Sequence, residues 1–217
     1  VFVATGDSQL FALDATTGEA LWDLPFEAEN PIWGPMAYAD GHVYVASMDG
    51  NIYAINADSG TQDGVWQTGS SFPGGLTLAG DTIFAGGLDN NLHAFDRNSP
   101  GTAETWIFTA ETGIWGAPVV VDGQVFFGDM NGNVYAVNAD TGTSIWKVAG
   151  VGPIVTSPAF SDGVIYIASE GDPDSREPQW FLTAYNAEDG TQKWQQSPTA
   201  GMYTTPVVIG DSVIGVL

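Results

Sequence analysis

Residues Val125–Trp146 read VFFGDMNGNVYAVNADTGTSIW. Two short runs in this stretch, Gln124–Gly128 and Asn133–Val137, place apolar side chains at a period of two, with Val125 and Phe127 on one face. Asn131-Gly132 between them predicts a tight hairpin turn, because both central positions of such a turn take positive φ. A polar corner, Asp140-Thr-Gly142, leads into a further strand over Ser144–Val148 that carries Trp146. Ahead of the stretch, Pro118–Val121 reads as a first strand and Asp122-Gly123 as its turn. The same order returns in VYVASMDGNIYAINADSGTQDGVW, Val43–Trp66, and again in Val1–Trp22, Ile83–Trp106 and Ile165–Trp194. Asp40-Gly41, Asp49-Gly50 and Asp162-Gly163 repeat the turn chemistry.

Five tryptophans close these units: Trp22, Trp66, Trp106, Trp146 and Trp194, at steps of 44, 40, 40 and 48 residues. Four strands in a unit near 40 residues is the spacing of a β-propeller. The sequence therefore predicts an all-β fold, a single propeller domain over residues 1–217, with about five blades of four antiparallel strands. Val1–Gly6 reads as a second strand, while Thr205–Gly210 and Ser212–Leu217 supply a first strand and another second strand. That redundancy, and the cost of leaving sheet edges open, leads to the expectation of a larger ring continuing beyond at least one end.

The corner pattern carries a resemblance. Ala12, Asp14, Gly18 and Trp22 share their spacing with Ala136, Asn138, Gly142 and Trp146, and with Ala184, Asn186, Gly190 and Trp194. This pattern resembles the tryptophan-docking repeat of the quinoprotein-like (PQQ-repeat) propellers, which include quinoprotein dehydrogenases and the BamB-like outer-membrane assembly lipoproteins. The resemblance implies a ring of seven or eight blades, with each tryptophan wedged between neighbouring blades against a glycine-bearing corner. Asn56 to Trp66 and Asp96 to Trp106 span ten residues instead of eight, so both corners are expected to bulge.

Composition narrows the function classes. Four Lys and Arg against 26 Asp and Glu give a net charge of −22 spread along the chain, a field that repels nucleic-acid phosphates and anionic lipids. Such a surface suits basic proteins, cations or solubility, including solubility in a salty environment. No apolar run reaches the length of a membrane span, and Val1 opens a strand-like run rather than a leader. With no cysteine, the chain has no disulfide, thiolate metal site or thiol nucleophile. His42 and His93 stand at repeat positions held elsewhere by Gln124 and Tyr135, and read as strand residues rather than ligands. Asp129-Met-Asn131-Gly-Asn133 faintly resembles a calcium loop without its downstream Glu, and a hairpin turn explains it better.

Two features break the repeat. Ser169–Trp180 (SEGDPDSREPQW) is inserted between a second and a third strand and brings Glu170, Asp172, Asp174 and Trp180. The connections between blades carry aromatics at equivalent places, namely Trp33, Trp115 and Tyr203, along with Phe72-Pro73 and Pro153-Ile154. Propeller topology puts both features on one face, where Trp and Tyr are favoured anchors. The reading is a non-catalytic scaffold outside the cytoplasm, binding a protein or peptide partner and needing no cofactor. The dehydrogenase branch would instead imply PQQ, calcium, a catalytic Asp and often adjacent cysteines. A third reading is an extracellular ligand-sensing or adhesion module of a larger protein.

Overall fold

The computed structural model describes residues 1–171, 179–199, 201–202, 204–210 and 212–215. Every strand pairing among them is antiparallel and joins neighbours in the chain. Four sheets have four strands, and we number the sheets I to VI in chain order. Sheet I comprises Phe2–Ala4, Gln9–Ala12 and Phe26–Glu27. Blade II comprises Ala37–Ala39, His42–Ala46, Asn51–Asn56 and Gln62–Gln67. Blade III comprises Thr77–Ala79, Thr82–Gly86, Asn91–Asp96 and Trp106–Thr109. Blade IV comprises Val119–Val121, Gln124–Gly128, Asn133–Asn138 and Ser144–Ala149. Blade V comprises Ala159–Ser161, Val164–Glu170, Trp180–Asn186 and Gln192–Gln196. Sheet VI is the hairpin Val207–Ile209 and Ser212–Ile214. The architecture is that of a partial β-propeller, as its repeat predicts.

The Asp-Gly pairs between first and second strands turn as expected. Asp40 and Gly41 have φ of 48° and 79°, and Asp122/Gly123 and Asp162/Gly163 repeat these values closely. The turns between second and third strands differ from the expectation. Within that turn of blade IV only Gly132 has positive φ, at 88°, and the loop is Met130–Gly132 closed by Asp129 and Asn133. The Asp129 carboxylate accepts the backbone N–H groups of Asn131 and Asn133 at 3.0 and 2.8 Å, so the chain turns over that side chain before the left-handed glycine closes it. Asp49-Gly50 follows the same three-residue plan, with Gly50 at 88°.

The core lies between blades rather than within one. Trp22, Phe26 and Leu10 of sheet I pack with Val43, Val45 and Ile55 of blade II. Phe126, Val134 and Trp146 of blade IV likewise pack with Ile165, Ile167 and Tyr185 of blade V. Each blade is thus stabilised by its neighbour, as in other repeat architectures.

Three junctions share one docking geometry. A Cβ at Gly60 would lie 2.7 Å from the Trp22 ring; at Gly142 it would lie 2.6 Å from Trp106, and at Gly190 2.8 Å from Trp146. Only glycine lets the ring approach this closely, and its φ of 67–75° at these corners is also a conformation glycine adopts freely. The indole N–H of Trp22 donates to the Ala57 carbonyl at 2.9 Å, Trp106 to Ala139 at 3.0 Å, and Trp146 to Ala187 at 2.9 Å. Trp194, half-buried, packs against Tyr166 of its own blade, with ring centroids 5.9 Å apart.

The two ten-residue spacings do not behave alike. In blade III the extra residues loop out between Asp96 and Thr105, and Trp106 stays opposite Ala94, the register that Trp146 keeps with Ala136. In blade II the corner is regular, with Gly60 donating to the Asn56 carbonyl as Gly142 does to Asn138. There the fourth strand has advanced by two residues instead. Gly64 stands opposite Ala54, and Trp66 opposite Ile52. A shift of two preserves the face, so Trp66 stays inside and is fully buried. Its docking role is therefore corrected: Trp66 meets no glycine corner, and its Nε1 has no acceptor among the described residues. Pro100 of blade III fills the vacated place, 2.7 Å from where a Cβ on Gly64 would stand.

Candidate partner-binding face

The loops between second and third strands and the connections between blades lie on one face and are stitched together by backbone hydrogen bonds. Met48 N–H donates to Pro31, Leu88 to Ser71, Met130 to Gly113 and Glu170 to Pro153, at 2.9–3.1 Å. Each loop also accepts from the following connection, as Gly87 does from Ile114 at 3.0 Å and Asp129 from Ile154 at 3.2 Å. Ile32, Phe72, Ile114 and Ile154 are the buried anchors of these connections. Gly86 and Gly128 leave room for Ile114 and Ile154, since a Cβ at either would collide with the branched side chain.

The second residue after each anchor packs directly on the backbone of the next connection. Gly34 abuts Gly74 and Gly75, Gly74 abuts Trp115 and Gly116, and Gly116 abuts Thr156. This succession of close backbone contacts places Trp33 and Trp115 at matching positions two blades apart, with Pro73 at the equivalent place between them. Trp33 is 57% exposed and Trp115 is half-buried. Leu88 and Met130 are also exposed, and Gly113 lies between them: a Cβ there would be 3.5 Å from each. Met48, Leu88 and Met130 occupy the same loop position in blades II, III and IV. The sequence reading missed this apolar recurrence because a single side chain in a polar turn carries no periodicity.

Glu170 and Trp180 pair across the end of the lengthened hairpin of blade V. Asp172, Asp174 and Tyr203 lie outside the described residues. Glu111 forms an ion pair with Lys147 and accepts from Asn133 Nδ2, and these contacts hold its carboxyl below the usual range.

Behind this face runs a row of aspartates fixed by the third strands. Tyr53 and Tyr135 donate their hydroxyls to Asp49 and Asp129, each at 2.8 Å. Burial and the bond to Asp49 push the Tyr53 hydroxyl up to about 12, and burial with the Asp129 bond raises Tyr135 further. Both oxygens of the buried Asp129 are engaged, Oδ1 by two backbone N–H groups and Oδ2 by Asn133 and Tyr135. A calcium ion there would have to displace four protein donors. Among the described residues no group of three or more His, Cys, Asp or Glu is arranged to hold a metal, and no helix is long and apolar enough to cross a membrane.

A family model described as outer membrane protein assembly factor BamB matches residues 1–99 and 89–216. The chain belongs to this family. Among curated relatives, the BamB of Moranella endobia is 24% identical over 235 residues, covering 99% of this chain and 56% of its own length. The chain thus spans about half of that relative. A quinohemoprotein alcohol dehydrogenase from Pseudomonas putida is 27% identical over 64% of this chain and 24% of the enzyme. The crystal structure of BamB from Moraxella catarrhalis superposes with a TM-score of 0.77 at 23% identity, covering 98% of this chain and 65% of that one. The fold is shared with that BamB, and the repeat with both branches of the quinoprotein-like propellers.

Proposed function

We propose that this chain is a non-catalytic scaffold, part of a seven- or eight-bladed ring outside the cytoplasm, that docks a protein partner on the face bearing Trp33 and Trp115. The observation that carries the reading is the ring of Trp33, Met48, Leu88, Trp115 and Met130 on a face otherwise rich in carboxylates. Large apolar side chains held by a rigid backbone make good anchors, because little conformational entropy remains to be lost on binding. A net charge of −22 selects a partner segment with apolar anchors flanked by Lys or Arg. The names borne by relatives, outer membrane protein assembly factors, support an envelope setting. Glu170 and Trp180 extend the same face in this reading, and the sequence adds Asp172, Asp174 and Tyr203 as candidate partner contacts.

The test is site-specific photo-crosslinking in the native envelope, from Trp33, Trp115 and the outer-rim residue Ile145. A discrete adduct from the first two positions and none from Ile145 is expected. No adduct from the mouth, or the same adducts from all three, contradicts the reading. Titrating the folded native protein with PQQ and calcium separates the enzyme branch, since tight calcium-dependent quenching of tryptophan fluorescence would replace the scaffold with a dehydrogenase.

A further inference from the structure

His93 stands in the third strand of blade III, where blades II and IV carry Tyr53 and Tyr135. Each tyrosine bonds one loop aspartate. His93 is held between two carboxylates, with Nε2 3.3 Å from Asp89 Oδ1 and Nδ1 3.2 Å from Glu104 Oε1. Its side chain is only 3% exposed, with Phe72 edge-on at 5.6 Å and Phe95 stacked at 6.1 Å. An ionised carboxylate only accepts hydrogen bonds. With both carboxylates ionised, only a ring that carries a proton on each nitrogen makes both bonds.

Asp89 comes from the loop between second and third strands. Burial opposes its charge, but bonds from Asn91 and His93 hold its carboxyl below the usual range. Glu104 comes from the enlarged corner of blade III, the same corner that reaches across to blade II. Pro100 of that corner fills the place above Gly64, Gly101 N–H donates to the Val65 carbonyl at 2.9 Å, and Arg97 Nη2 pairs with Asp40 at 2.6 Å. Among the described residues the other elements around the ring present uncharged groups: the connection offers Ser70 and Phe72, the second strand ends at Gly86-Gly87, the fourth strand sets Ile107 opposite, and His93's own strand offers Asn91 and Phe95.

We propose that doubly protonated His93 is a pH-sensitive latch that holds the blade III corner across the junction with blade II. Loss of one proton turns one ring nitrogen into a lone pair facing a carboxylate, and the attraction there becomes repulsion. The bond to Glu104 then gives way, the corner loosens over Gly64, and the surroundings of Trp66 change.

NMR reads each step on the intact protein. The ring nitrogens of His93, distinguished from His42 with a His42→Gln variant, report protonation. The Trp66 indole N–H, assigned through Trp66→Phe, reports the corner. The expected result is a doubly protonated ring at low pH and a Trp66 indole shift with the same midpoint as His93. His93→Tyr, which installs the residue of the neighbouring blades, should abolish that shift. Glu104→Gln should move the His93 midpoint to lower pH without unfolding the blade. A His93 ring that is a single neutral tautomer throughout overturns the proposal. So does a Trp66 resonance that ignores His93 ionisation, or one that titrates equally in His93→Tyr.

Discussion

The junction between blades IV and V and the junction between blades II and III start from the same repeat and end differently. In the first, Trp146 lies on Gly190 and its N–H reaches the Ala187 carbonyl. In the second, Trp66 has moved two residues along its strand, Gly64 has taken its place, and Pro100 covers the gap. Both tryptophans are buried, yet only one has its indole N–H satisfied. The difference shows that burial and docking are separable. The alternation of a strand guarantees the first, whereas the second depends on the exact count of residues between corner and ring.

The largest expected effect is on the regular junction. Trp146→Ala should cost about 3–5 kcal/mol in urea unfolding, since it removes a buried ring from a site that cannot collapse onto a glycine backbone. A loss well under that range would mean that the ring is not the wedge its geometry indicates.

Glycine substitutions sharpen the contrast. Gly190→Ala puts a Cβ 2.8 Å from the Trp146 ring at a backbone φ of 73°, and about 1–3 kcal/mol of destabilisation is expected. Gly64→Ala crowds Pro100, an exposed loop residue that can shift, and meets the Ala54 Cβ at an ordinary 3.5 Å, so its cost should be roughly 1 kcal/mol or less. Equal losses in the two variants would put Pro100 on the same footing as a docked tryptophan.

A smaller effect separates blade II from blade III through their third strands. Tyr53 has a hydroxyl raised from 10.0 to about 12 by burial and by the bond to Asp49. The folded state holds this proton more tightly than the unfolded chain. Its contribution is therefore complete below pH 10 and declines as pH rises from there towards 12. Unfolding measured across that window should show the decline, and Tyr53→Phe should lessen it while the share due to Tyr135 persists; an unchanged slope would remove Tyr53 as a source.

The repeat itself was legible because propeller blades reuse a short pattern, and alternation, Asp-Gly turns and the closing tryptophans all point to the same register. The loops between second and third strands were misread at Asn131-Gly132. The sequence shows the glycine but not that Asp129 folds under the turn and lengthens it by one residue. The ten-residue spacings were visible, but their outcome was not. Looping out the extra residues, as around Pro100, and sliding the strand, as at Trp66, satisfy the same facial pattern, and only packing against the next blade decides between them. On the partner-binding face, Trp33 and Trp115 stood out because aromatics recur in the connections. Met48, Leu88 and Met130 did not, each being one apolar residue in a polar turn. His93 was read as an ordinary strand residue, because its second carboxylate, Glu104, is distant in the repeat pattern and comes only with the enlarged corner.

Urea unfolding of the pair Trp66→Phe and Trp146→Phe tests the account of the junctions most directly. Phenylalanine keeps most of the ring and deletes the N–H. Trp146→Phe strands the Ala187 carbonyl and should cost about 1–3 kcal/mol more than Trp66→Phe, which removes a buried donor that has no acceptor. Equal losses, or a larger loss at Trp66, would show that its N–H is satisfied after all and would contradict the distinction between the two junctions.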